Sequence, residues 1–163
     1  MEDQDYETVE NEWALQVGWF SIHMGSIEAA VGQLLTRAGR RTSGHFADCL
    51  DRLSTSVGCF RDSHHNQLLE CIGEAQSLRG IRNTVLHSAI SMTPYFDGLP
   101  EDKPYNADEL EGRALLIRSK VNDRKAKHLI DMAQILSLVD RAKRLRKKLW
   151  GIAVLEQLDA HGL

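Results

Sequence analysis

Arg79, Arg82, Asn83 and His87 interrupt an otherwise apolar run in the stretch SLRGIRNTVLHSAISMTP, Ser77 to Pro94. On a helix turning about 100° per residue, Arg79, Asn83, Leu86, His87 and Ile90 fall within an arc of about 100°, with Arg82 roughly 40° to one side. A guanidinium is a fixed cation with bidentate geometry for phosphate. An imidazole takes and gives a proton near neutrality, and an amide between them both donates and accepts. Together these groups suit chemistry at a phosphodiester. In RNA the attacking group is the substrate's own 2'-hydroxyl, so cleavage needs a base, an acid for the leaving 5'-oxygen and a cation for the charge on phosphorus, but no metal. One histidine supplies half of the proton transfers. Two copies of the site, facing each other across a symmetric dimer, would supply both halves.

Helices must position these residues. Trp13, Val17, Phe20, Met24, Ile27, Val31 and Leu34 recur at spacings of four and three and predict an amphipathic first helix to about Arg37. Beside them runs a lane of mostly small residues: Ala14, Gly18, Ser21, Gly25, Glu28, Gly32 and Leu35. Glycine costs a helix roughly 1 kcal/mol against alanine, so three of them call for a compensating close approach, either within the monomer or between two subunits. Ser43 is the expected cap of a second helix burying Phe46, Cys49, Leu50, Leu53 and Val57. Asp62 or Ser63 opens a third, with Leu68, Ile72, Ala75, Leu78, Ile81 and Val85 on its apolar stripe, ending before Pro94. The three prolines, Pro94, Pro100 and Pro104, mark an exposed connection. After it, RALLIRSKV alternates and Asn122-Asp123 makes a turn before RKAKHLI, which reads as a small β-hairpin. A last helix, capped by Asp131, runs through Met132, Ile135, Leu136, Val139, Ala142, Leu145, Leu149 and Ile152 to about Leu158. The expected architecture is all-α: a four- to five-helix bundle with a β-hairpin insert before the last helix, formed by one domain over 13–160 after an acidic leader, 1–12.

Bulk properties exclude several classes. With 163 residues, 42% hydrophobic and 26% charged, the chain fits one core. A net charge of -3 argues against a general backbone-driven nucleic-acid binder, so any such contact must be local. No apolar run approaches a membrane span and no signal peptide is evident, which leads to the expectation of a cytoplasmic protein with no membrane partner. Cys49, Cys59 and Cys71 form no CxxC pair and are expected as buried small hydrophobes. The adjacent His64 and His65 lack a second ligand pair at zinc spacing, so no metal and no cofactor is expected, and both histidines read as solvated cap residues. Arg141 to Lys148, RAKRLRKK, carries six positive charges. Arg141, Arg144 and Lys148 are its candidates for tracking an RNA backbone, against the plainer reading of a solvated helix face.

The six residues RNTVLH, Arg82 to His87, resemble the RNxxxH form of the R(x4 to 6)H signature of the HEPN superfamily. Its helical bundles include metal-independent endoribonucleases and toxins of toxin–antitoxin systems. The order of elements is similar too, with an acid, Glu28, on a long first helix and the motif on the third. The resemblance implies that Arg82 contacts phosphate, His87 is the general acid/base and Asn83 orients one of them, with Glu28 and Arg79 in support. It also implies RNA as substrate, an antitoxin as partner, and a homodimer through helix one (Gly18, Gly25, Gly32) and the motif face. Arg40 and His45 satisfy the looser spacing without the asparagine, so the asparagine and the helical setting carry the specificity. Ala89 stands where nucleotidyltransferase-regulated toxins of this kind carry a tyrosine. A non-catalytic HEPN-like module binding protein, RNA or nucleotide is the alternative, and a plain helical protein with these side chains in ion pairs is a third.

Overall fold

The computed structural model describes residues 3–86, 89–91, 113–117 and 127–160. Helix α1 spans Asp3–Arg37, α2 Phe46–Ser54, α3 Asp62–Leu86 and α4 Met132–Ala160, with a 3-10 turn at Val57–Cys59. The bundle is helical, as the periodicity indicates. Helix α1 begins ten residues upstream of Trp13, so the acidic stretch read as a leader is helical from Asp3.

The core follows the apolar spacing. Phe20, Met24 and Ile27 of α1, Leu50 and Leu53 of α2, Leu68 and Leu78 of α3, and Ile135 and Leu149 of α4 are fully or almost fully buried. Burying each such side chain is worth roughly 1.5–3 kcal/mol. Two assignments differ. Leu136 is exposed and Leu138 occupies the core position, because the buried stripe runs through Ile135, Leu138, Ala142 and Leu145. Cys59 is exposed, whereas Cys49 and Cys71 are buried.

Helices α1 and α4 lie side by side in the same direction. Trp150 Nε1 donates to Ser26 Oγ at 3.0 Å, and Arg37 Nε donates to the Glu156 carbonyl at 3.3 Å. Helix α3 runs antiparallel to both, with Arg141 meeting Glu74 near one end and His64 meeting Glu156 at the other. Helix α2 closes the side near the end of α1.

Ser43 does not cap α2. The helix starts at Phe46 behind His45, which makes no side-chain cap. The Ser43 hydroxyl instead accepts from Arg41 Nε at 2.5 Å, and Gly44 takes a φ of 121° that a side chain would resist. Helix α3 stops at Leu86, earlier than Pro94. Ala89–Ser91 leaves the helical path to form β1, paired antiparallel with β2, Arg113–Ile117, which pairs in turn with β3, Lys127–Asp131. Ile90 sits opposite Leu116 in that ladder. Backbone hydrogen bonds across the ladder replace those a continued helix would have made through the serines at 88 and 91, which are weak helix formers. Asp131 is the last residue of β3 and directly precedes α4. The turn expected at Asn122-Asp123 and the proline-bearing connection lie outside the described residues.

Candidate functional site

The motif begins on the last turn and a half of α3, where that helix faces α1. Phe20, Met24 and Ile27 of α1 and Leu78 and Val85 of α3 are buried in the shared core. The polar residues between them are left at its rim. Arg82 reaches across to α1 and its guanidinium forms an ion pair with the Glu28 carboxylate. Both side chains keep part of their surface in solvent, and Asn83 beside them is exposed. Arg79, one turn earlier, is half-buried, and its Nε is enclosed with no hydrogen-bond partner among the described residues. His87 lies outside the described residues, one position beyond the end of α3.

The structure therefore joins Arg82 to Glu28 and sets Asn83 in the open next to them. It also revises the expected helical grouping, because Ile90 belongs to β1 and shares no helix face with Arg79 and Asn83. Geometrically, Glu28 orients a cation at the solvent edge of the α1/α3 seam. A phosphate would have to compete with that carboxylate for the guanidinium, or take its remaining donors.

The basic run of α4 does not form one stripe. Arg141 turns toward α3, where Nε and Nη2 donate to the two Glu74 oxygens at 2.8 and 3.1 Å, and Nη2 also reaches Ser77 Oγ at 3.3 Å. This two-point contact holds the Glu74 carboxyl below the usual range and raises the Arg141 guanidinium. Arg144 pairs with Asp140 one turn away at 2.9 Å, an exposed contact of little energetic weight. Lys148 lines, with Glu70, Cys71, Glu74, Arg141 and Arg144, a groove of about 270 Å³ between α3 and α4. Burial pushes the Cys71 thiol up. Of the three residues assigned to RNA, Arg141 is thus committed to holding α3 and α4 together. No group of three or more His, Cys, Asp or Glu is placed to hold a metal ion among the described residues. Nor is any described helix long and apolar enough to cross a membrane.

Two buried polar groups escaped the sequence reading. Glu156 is 2% exposed and His64 8%. The carboxylate receives the Arg61 backbone N–H at 3.0 Å and lies 2.5 Å from His64 Nδ1, so His64 is a buried partner and not a solvated cap. Beside them Arg61 forms an ion pair with Asp159. The adjacent histidines gave a signal, but their partner lies 92 positions downstream.

No family model, curated protein or solved structure matches the chain.

His23 on α1 is the other. It is buried against Trp19, with ring centroids 5.7 Å apart, and its Nδ1 has no hydrogen-bond partner among the described residues. Burial, with the positive charges of Arg146 and Lys143 adding to it, lowers its pKa below the ordinary 6.5. Between 6.5 and the lower folded-state value the unfolded chain binds the proton more readily, so the stability contribution is complete above 6.5 and is lost as the pH falls below it. Thermal melts across pH 7 to 5 are expected to show that loss. His23→Leu, which removes both the titration and the orphaned nitrogen, should flatten the slope without destabilising the chain at neutral pH.

Proposed function

We propose that this chain is an HEPN-like, metal-independent endoribonuclease, working as the toxin of a two-gene system or in RNA-based defence. The observation that carries the reading is the Glu28–Arg82 pair: an arginine fixed at a solvent-facing seam, beside an exposed Asn83, four residues before His87. In this reading Arg82 binds the scissile phosphate and stabilises the charge that builds on phosphorus. His87 of one subunit takes the 2'-hydroxyl proton, and His87 of the second protonates the 5'-oxygen, leaving a 2',3'-cyclic phosphate. Asn83 orients the phosphate or the imidazole. Glu28 pre-orients Arg82 and yields some of its contact when RNA arrives.

Inducible expression in bacterial cells of the wild type and of His87→Ala, with growth and total RNA followed together, tests the proposal. Arrest and RNA degradation with the wild type alone support it, provided purified protein cleaves RNA in chelator to 2',3'-cyclic ends. Intact RNA with both proteins, in cells and in purified form, removes the activity.

A second reading has its own support. Arg82 is satisfied by a carboxylate of its own chain, as in a non-catalytic HEPN-like module that binds a partner protein, RNA or nucleotide through the same seam. That reading predicts ligand binding that survives His87→Ala.

A further inference from the structure

The outer side of the seam between α1 and α4 sets an apolar track beside a basic one. Between Glu12 and Arg37, Glu28 is the only Asp, Glu, Lys or Arg of α1. It lies nine residues from Trp19, which puts the two on opposite sides of the helix. The side that holds Trp19 is therefore without charge, yet Leu15 and Ile22 are each 56% exposed and Trp19 is 45% exposed. On α4, Leu136, Lys143 and Trp150 recur every seven residues and share one side. The bond from Trp150 to Ser26 sets the register of these two parallel helices, an offset of 124 positions, and forms the floor of the seam. The same offset brings Lys143 level with Trp19 and Arg146 level with Ile22.

The charge along the basic track is unbalanced. Arg141 and Arg144 have carboxylates in Glu74 and Asp140. Lys143, Arg146 and Lys147 have none within ion-pair distance among the described residues. Their field reaches into the seam, since Lys143 and Arg146 help to depress the pKa of His23, whose ring stacks on Trp19.

We propose that this seam is a docking groove for an acidic amphipathic helix of another protein, its apolar side on Leu15, Trp19 and Ile22 and its carboxylates on Lys143, Arg146 and Lys147. Charge complementarity selects the partner. A helix laid along the seam covers the apolar track and neutralises the basic one in a single contact, with Trp19 as the aromatic anchor. A nucleic acid would satisfy the lysines but leave Leu15 and Ile22 unused, because aliphatic side chains add nothing to phosphate recognition. An anionic bilayer is broad and would press on Glu12 and Asp140, both exposed and one helical turn from the seam residues Leu15 and Lys143. The groove faces away from the Glu28–Arg82 pair, so the inference does not rest on the ribonuclease reading, and a docked partner leaves that pair open.

The probe is a library of helical peptides with leucine along one face and Glu, Lys or Gln varied at the flanking positions, selected on the immobilised full-length chain. Glutamate-rich sequences are expected to win. The best of them, added free, should shift the emission of Trp19 to the blue as the indole leaves water, and Trp19→Phe should remove that shift. Lys143→Glu with Lys147→Glu, two exposed positions outside the core, should weaken binding about tenfold or more and turn the selection toward lysine-rich peptides. A selection that enriches nothing, or that enriches neutral or lysine-rich peptides on the wild type, overturns the proposal. So does a glutamate-rich peptide whose binding is indifferent to Lys143 and Lys147. Tighter binding to phosphatidylserine vesicles or to a single-stranded oligoribonucleotide, with the same dependence on Trp19 and Lys143, overturns it in favour of a membrane or a nucleic acid. RNA cleavage is not scored in these assays, so an inactive chain that selects acidic helices removes the ribonuclease alone, and an active one that selects none removes the docking groove alone.

Discussion

Glu156→Ala is expected to destabilise the folded chain by about 2–4 kcal/mol, since each buried polar group left without its hydrogen-bond partner costs roughly 1–3 kcal/mol. The residue sits where three helices end. Its side chain takes the Arg61 amide and faces His64, and its backbone carbonyl takes Arg37 from α1. Alanine would leave the Arg61 N–H and the His64 ring without their acceptor in a place that water barely reaches. A shift of this size is a large fraction of the 5–15 kcal/mol that holds a typical domain, so chemical denaturation should show an early transition or a largely unfolded chain at 37 °C. Glu156→Gln keeps the shape and one acceptor and should recover part of the loss. A midpoint within error of the wild type for the alanine variant would mean that the cluster is not what joins the helix ends.

The second large effect concerns activity. Arg82→Ala should reduce RNA cleavage by roughly 10²–10³-fold, the effect of losing one positioned donor to a developing anion. His87→Ala should cost roughly 10²–10⁴-fold through the lost proton transfer. Stability should barely move in the first case, because the Glu28–Arg82 pair is partly exposed and such pairs are worth about 0–1 kcal/mol. That separation gives the experiment its force: a structural arginine would lose melting temperature and activity together. Glu28→Gln should be intermediate, because it frees the guanidinium but loosens its aim. Equal cleavage by the wild type and Arg82→Ala, both folded, would remove Arg82 from the chemistry.

The helices were legible wherever a single apolar period decided them. Phe20, Met24 and Ile27 repeat at helical spacing and are fully buried, as are Leu68 and Leu78. Features decided by partners distant in sequence were not legible. The end of α3 at Leu86 depends on β1 finding β2 more than twenty residues later, and no local breaker precedes the proline. His64 reads as solvent-facing until α4 brings Glu156 to it. The glycine lane was visible at once, but whether it was filled from within the chain depended on where α3 and α4 settled. The contact of Arg82 with Glu28 follows from the packing of α3 on α1, since both residues lie at the flanks of the stripes that meet there.

The largest helix interface of the fold joins α1 to α4, its first helix to its last. During synthesis the apolar side of α1 must therefore wait, with Phe20, Met24 and Ile27 uncovered by their principal neighbour, until more than a hundred further residues have left the ribosome. Nascent chains halted before α4 should be aggregation-prone and sensitive to protease, and should depend on holding chaperones in proportion to the delay. Slowing translation between α3 and α4 should thus lower the yield of native protein without altering a single residue of it.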